Sequence, residues 1–461
     1  MMAQRPKQTN HQLAGLISEA RFSHKGLAKR IVDLGEVRGY RNLRYNHSSV
    51  ERWIRGERPR PPTPSLLAEI FSVALGRPVS SADLGMAHER LPDQAALEMS
   101  QTPSDAARVV HGLSASDLEQ RRVLIRSSFD LVAYSSTALR WLVAPRTTLA
   151  PGKGTRNIGM AEVEEIREAT GAFRVLDNRL GGGRIRPTVV EYLHTDIAPL
   201  LFDCRCTDSV RRQLFSAAAE LAQLAGWQAY DLEMQGLAQR YLVQALTMAR
   251  FADDEALGGE ILAAMSHQAI YVARPDQAID MAQAAQLAGR RAGLSILQAE
   301  GIVMEAHGHA LRKDAGSCSR ALRRAETVFS QATASEPPAW LSYFDEAYFA
   351  AKIAHCFQAL GQGVQTEKYA LRSLEMDPRY IRGKAFNIAL LAIGYALQGE
   401  LSQACVRGRE AVDLTGSLDS ARAITYIRNL LAQLALHEGE VEVREFRSYA
   451  EARLPALRRH G

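Results

Sequence analysis

From about residue 207 to residue 461, apolar residues recur with helical periodicity in stretches of roughly 12–18 residues joined by short turns. A small residue returns on alternate stretches, at Ala245, Ala285, Ala325, Ser373, Ala411 and Ala450, with spacings of 40, 40, 48, 38 and 39. Small residues at such intervals mark the places where two antiparallel helices must approach closely. One helix pair alone has too little core, but stacked pairs bury a continuous one. The pattern therefore predicts an all-α chain whose residues 207–461 form a curved array of helix pairs with a concave groove. The clearest unit is 347–380. Ile353, Ala354 and Phe357 take the packing positions of its first helix, Ser373 the small position of its second, and Asp377-Pro378 the stop.

Charge divides the chain differently. The net charge of +5 conceals a basic head: residues 1–80 hold 14 Lys/Arg against 6 Asp/Glu, and the remaining 381 residues hold 42 against 45. A +8 head on a −3 body points to a polyanion as partner of the head. Met1–Asn10 is polar and carries no secretory signal, and no apolar run approaches the ~20 residues of a membrane span. The five cysteines (Cys204, Cys206, Cys318, Cys356 and Cys405) are odd in number and scattered, as suits a reducing cytoplasm. Of the 56 basic residues only 8 are lysine, a bias that fits GC-rich coding and warns against reading every arginine as functional.

The head reads as four short helices. Asn10 is placed to cap the first, with Leu13, Leu16 and Ile17 on its buried face, and Ser23 to cap the second, with Leu27, Ala28 and Ile31 buried and Gly35 just past its end. The third runs through Ser48–Arg55 and stops at Gly56, ahead of Pro59, Pro61 and Pro62. Thr63-Pro64 opens the fourth, which closes at Gly76 and Pro78. On the third helix Val50, Trp53 and Ile54 form the core face, with His47 on the core side. Ser48, Arg52 and Arg55 lie opposite, with Ser49 and Glu51 on the flanks. Serines and arginines at the N-terminal end of a short helix suit entry into a major groove, where an arginine fork meets guanine O6 and N7. The DNA-contacting set is then Lys25, Arg44, Asn46, Ser48, Ser49, Arg52, Arg55, Arg58 and Arg60, with Arg38 and Arg41 as further backbone contacts. Ser48-x-x-Glu51 is equally a capping box, a structural role compatible with the first.

The stretch SHKGLAKRIVDLG…LRYNHSSVERWIRGERPRPPTPSLLAEIFSVALGRPVSSADLGM resembles the helix-turn-helix domain of actinobacterial, Streptomyces-type regulators related to the XRE family. Leu27-Ala28, Ser49-Val50-x-x-Trp53-x-x-Gly56 and Asp83-Leu84-Gly85 carry the likeness, and about ten extra residues separate the second and third helices. LDNRLGGGRIRPTVVEYL and AELAQLAGWQAYD extend it into the body, and the repeats fit a degenerate tetratricopeptide template. The resemblance implies a cytoplasmic, nucleoid-associated transcription regulator, a repressor or pleiotropic regulator of sporulation, differentiation and antibiotic biosynthesis, acting as a homodimer on double-stranded DNA.

The expected organisation is a helix-turn-helix domain at 1–90, a linker and helical connector at 91–206, and repeats at 207–461. Leu91–Gly112 reads as the linker and Gly181–Gly183 as a helix stop and hinge. No catalytic, cofactor-binding or metal-binding residue is assigned. PGKGT at 151–155 lacks the order of a phosphate loop, and Cys204-Arg205-Cys206 and His307-Gly308-His309 are two-ligand fragments without a matching pair. The repeat groove is expected to take a peptide, a protein or a small-molecule signal. Tyr230, Tyr241, Tyr271, Tyr395 and Tyr426 are as well explained by inter-helix packing. The alternative is a helical-repeat interaction scaffold whose head does not bind DNA.

Overall fold

The computed structural model describes residues 9–37, 40, 43–57, 59, 63–75, 79, 83–85, 92–120, 122–143, 149–332 and 338–460. It is all-α apart from one small three-stranded patch, and it divides into two compact units, Met1–Leu91 and Pro92–Gly461.

In the first unit, helices α1 (His11–Glu19), α2 (His24–Val37), α3 (His47–Ile54) and α4 (Thr63–Leu75) enclose a core built on Leu13, Leu27, Ile31, Val50, Trp53 and Phe71. Asn10 caps α1 as expected, accepting from the Leu13 N–H at 3.0 Å. Its amide also donates to Leu84 O at 2.9 Å, so one residue fixes the start of α1 and the end of the unit. Ser23 likewise accepts from Gly26 N–H at 3.1 Å. Gly35 lies inside α2, not beyond its end. A Cβ there would stand 2.5 Å from Leu43 Cδ1, so the glycine makes room for the chain that leads to α3. The α3 stop at Gly56 is left-handed, with φ +93°. Gly76, Pro78, Pro61 and Pro62 lie outside the described residues.

In the second unit, six helix pairs follow one another among the described residues. They are Asp208–Asp231 with Gln235–Ala252, Glu255–Tyr271 with Pro275–Arg291, Ser295–Leu311 with Ala315–Ser330, Glu346–Ala359 with Gly363–Ser373, Ile381–Gln398 with Leu401–Thr415, and Ala421–Leu434 with Val441–Arg453. Ala245, Ala285, Ala325, Ser373, Ala411 and Ala450 fall one on each second helix, and every one is fully buried. The longest spacing, 48, arises because Gln331–Asp345 intervenes between the third and fourth pairs and carries the short turn Ala339–Leu341. No helix among the described residues is long and apolar enough to cross a membrane.

The segment before the repeats belongs to the same unit, and it contains structure where a linker was expected. Helix Pro103–Leu118 is capped by Thr102 and buries Ala106, Ala107, Val110 and Leu113. At its far end the buried Asp117 pairs with Arg186 of helix Gly182–Tyr192 and accepts from Tyr241 Oη at 2.7 Å, which joins it to the second helix of the first pair. Gly152–Lys153 and Arg156–Asn157 flank the strand Cys204–Cys206, antiparallel and parallel respectively, so PGKGT holds the first of these strands and the residues that lead to the second.

The glycine run is a crossing point as well as a helix stop. Helix Met160–Leu180 ends at Gly181 (φ +87°), where a Cβ would lie 2.6 Å from Asp419 O. At Gly183 a Cβ would lie 2.3 Å from the Asp419 carboxyl. Asp231, fully buried, accepts from Gly182 N–H at 3.0 Å and from Ser420 Oγ at 2.9 Å, and pairs with Arg382 at 3.3 Å and Arg422 at 3.8 Å. Arg382 in turn bonds Asp177 Oδ2 at 2.7 Å and Asn178 Oδ1 at 3.1 Å. Burial works against the Arg382 cation, but the Asp177 and Asp231 carboxylates outweigh it and hold the guanidinium charged. Asp231→Asn keeps the shape but leaves two buried guanidiniums short of one charge. It should cost about 3 kcal/mol in urea unfolding followed by near-ultraviolet circular dichroism, because an uncompensated buried charge is what makes breaking such pairs expensive. A loss below about 1 kcal/mol would contradict the role given to this network.

Candidate functional site

Two places concentrate chemistry, one in each unit. In the first, helix α3 starts at His47, one residue earlier than the serine pattern suggests. Asn46 is its N-cap: its Oδ1 accepts from Ser49 N–H at 3.1 Å and from Ser49 Oγ at 3.2 Å, and Ser49 Oγ in turn receives the Asn46 N–H at 3.4 Å. The capping box is therefore Asn46/Ser49 and not Ser48/Glu51. Ser49 is 4% exposed, on the Val50/Trp53 face, because it stands four residues before Trp53. Asn46 and Ser49 thus satisfy backbone groups. Ser48 is half-buried with its Oγ 3.3 Å from His47 Nε2, and His47 points outward instead of into the core. Tyr45 packs edge-on against Trp53 at 5.0 Å and bonds Thr63 Oγ1 at 2.7 Å, which locks α3 against the start of α4.

Lys25, Arg44, Arg52 and Arg55 are exposed. Arg52 Nε lies 3.7 Å from Glu57 and Arg55 Nη2 lies 3.3 Å from Glu51, which also stands 3.9 Å from His24. These surface pairs are worth little, so the arginines are released at small cost to a stronger anion. Arg58, Arg60, Arg38 and Arg41 lie outside the described residues.

In the second unit, the first helices of the pairs and helix Met160–Leu180 surround a cavity of about 310 Å³. Helix Met160–Leu180 packs against the first helices of pairs one and five, and Arg174 on it bonds Trp340 O at 3.2 Å and Gln223 at 3.3 Å. Trp227, Trp340 and Phe386 provide flat apolar walls. On one side Tyr343 Oη stands 2.8 Å from Glu300 Oε1 and 3.1 Å from Glu260 Oε1. A phenol has one proton to donate, and the two carboxyls compete for it. Burial pushes both carboxyls up, and at Glu300 the neighbouring Glu260 charge adds to it, to about 8.

On another side Lys352, 4% exposed, makes no hydrogen bond or ion pair among the described residues, and its Nζ sits 4.8 Å over the Tyr348 ring. Burial and the Arg422 charge press its pKa down to about 7. Arg422 is stacked among Tyr230 at 4.1 Å, Phe386 at 4.8 Å, and Trp227 and Tyr271 each at 5.6 Å. Its Nε and Nη1 have no hydrogen-bond acceptor among the described residues. His267, His307 and His355 are held neutral by burial first and then by the fields of cationic neighbours, with Lys352 acting on all three and Arg422 on His267 and His355. His355 Nε2 meets Tyr426 Oη at 3.1 Å, and His307 stacks on His355 at 5.7 Å. Of the tyrosines noted from sequence, Tyr426 lines the cavity and Tyr230 lies behind Arg422, while Tyr241 serves packing. No group of three or more possible metal ligands occurs among the described residues.

These cavity residues were not picked out by motif. The signal that finds several of them is the repeat period applied to the first helices: Glu220, Glu260 and Glu300 are 40 apart, as are Trp227, His267 and His307, and His355 follows after 48. Of these Glu260, Glu300, Trp227, His267 and His355 line the cavity, and Glu220 and His307 lie outside its lining. The two rows lie seven residues apart, two turns along one helix face.

Residues 13–87 match the family described as the SP15 N-terminal domain. No curated protein matches the chain.

The buried lysine makes stability depend on pH. Its pKa falls from 10.5 to about 7 on folding, so the folded chain binds fewer protons than the unfolded between these values. Stability from this group rises with pH across that window, and the burial cost is borne in full below it. Glu300 acts oppositely, losing its contribution as pH rises from 4.5 through about 8. Lys352→Met should therefore stabilise the second unit at pH 6 by on the order of a few kcal/mol, with the gain vanishing near pH 10. A gain independent of pH, read from denaturant midpoints, would contradict this assignment.

Proposed function

We propose that the chain is a sequence-specific DNA-binding transcriptional regulator whose helical-repeat body senses a small molecule. The observation that carries the first half is the surface of α3. A short helix buries Ser49, Val50 and Trp53 and leaves Arg52 and Arg55 outward, beside exposed Lys25 and Arg44, in a segment of net charge +8. Arg52 and Arg55 are the base-reading candidates, and Lys25 and Arg44 the phosphate-contacting ones. The resemblance to XRE-like regulators supports the same reading, with repression of differentiation and antibiotic production as the biological role it implies.

The sensing half rests on the cavity. Helix Met160–Leu180 closes one side of the inner face, which favours a compact ligand over an extended peptide. The pairing of Arg52 and Arg55 with Glu57 and Glu51 is the observation on the side of the scaffold reading, since those arginines are already neutralised within the head.

Binding of the full chain to genomic fragments as a function of salt separates the two. A regulator loses affinity with log–log slope near −0.9 per phosphate contacted. Arg52→Ala should weaken a footprinted site by about 1–3 kcal/mol and relax base preference. Lys25→Ala should weaken all fragments alike and reduce the salt slope by about one. Absence of retardation of any fragment at low salt would favour the scaffold.

A further inference from the structure

The charged groups that line the cavity are unevenly partnered. Two cations, Lys352 and Arg422, face it almost fully buried, and neither has a close carboxylate of its own. Lys352 has no ion pair among the described residues, and the nearest to Arg422 is Asp231 at 3.8 Å, which Arg382 also engages at 3.3 Å. The other nitrogen bases here, His267, His307 and His355, are neutral and offer no competing charge. No carboxyl bonds Lys352: Glu300 acts on it only through its field, and its second oxygen, like that of Glu260, has no hydrogen-bond partner among the described residues. Glu300 shares Tyr343 with Glu260, and Glu260 lies in the field of Arg174. A buried ammonium without an acceptor is costly and persists where an incoming group supplies one. Flat apolar surface from Trp227, Trp340 and Phe386 completes the enclosure.

We propose that this cavity binds a small arylalkyl carboxylate, its carboxylate on Lys352 Nζ beside Arg422 and its ring against Trp227, Trp340 and Phe386. The proposal rests on reading the body as a sensor and names what it senses. The carboxylate supplies the counter-ion that Lys352 lacks, so binding draws a proton onto the lysine. The groups facing that proton are Arg422, Glu300, Glu260, Tyr348, Cys356 and the three histidines. Of these only Arg422 carries a fixed positive charge; Glu300, pushed up to about 8, gains its negative charge at the upper end of the range in which Lys352 titrates and there favours the charged lysine.

The test is calorimetric titration of the full chain, without DNA, with phenylacetate, phenylpropionate and naphthylacetate, each beside its primary amide and its amine. At least one carboxylate should bind saturably and about tenfold or more tighter than its amide. With a free-state pKa of about 7 for Lys352, affinity should weaken about tenfold from pH 6 to pH 8. Lys352→Met should lose about tenfold and Lys352→Arg should retain binding. The pH series on the unaltered chain keeps the test independent of whether the variants fold. No saturable binding of any carboxylate, equal affinity for acid and amide, tighter binding of the amine, or a flat pH profile overturns the proposal. DNA retardation, measured separately, decides whether the head binds DNA, so failure of one reading is distinguishable from failure of the other.

Discussion

The second unit depends on a single buried carboxylate. Asp231 closes the first helix of the first pair and touches Gly182, Arg382, Ser420 and Arg422, which come from segments up to 191 positions away in the chain. A repeat array held only by neighbour contacts has no reason to fix its first pair against its fifth and sixth. Here the ion network does so, through Arg382 and Arg422 and through the glycines that let Leu180–Gly183 lie on Asp419. Ion pairs of this kind add little net stability against an apolar alternative, but they penalise every arrangement that leaves a charge unmatched. Their product is a fixed link between the first, fifth and sixth pairs, and two of its members, Arg382 and Arg422, line the cavity.

The same network sets the chemistry of the cavity. Arg422 is shared between Asp231 and a surround of aromatic rings, which holds it in place, and its charge acts on Lys352. Lys352 is thereby denied an easy charge state, and Glu300 is pressed toward its neutral form by burial and by Glu260. Burial alone would have produced a passive apolar hole. Cations held on one side, with carboxyls tied to Tyr343 on another, give it polarity.

Much of this was legible at the level of elements. The small residues from Ala245 to Ala450 predicted the second helices because close approach of two helices excludes larger side chains, a constraint that acts at the residue itself. Asn10, Ser23 and Gly56 were likewise readable, since a cap or a left-handed stop is local chemistry. The start of α3 was not. Asn46-x-x-Ser49 and Ser48-x-x-Glu51 offer competing caps, and choosing the later one moves His47 to the core side and Ser49 to the flank. What decides between them is that Trp53 must be buried against Tyr45 and α4, a tertiary demand. Leu91–Gly112 looked like a linker because it is polar and broken by prolines; its few apolar residues, Ala106, Ala107 and Val110 among them, are buried once a partner helix is present.

The sequence by itself determined the all-α class, the helix-pair period, the basic head and the face of α3 that carries Arg52 and Arg55. Each follows from periodicity, capping or charge within a few residues. Only the tertiary structure decided that 92–206 joins the repeats, that Asp231 is a junction, and that Glu300, Lys352 and Arg422 surround one cavity. Those residues lie 52 and 70 positions apart, and their properties come from desolvation and mutual fields that no isolated segment possesses.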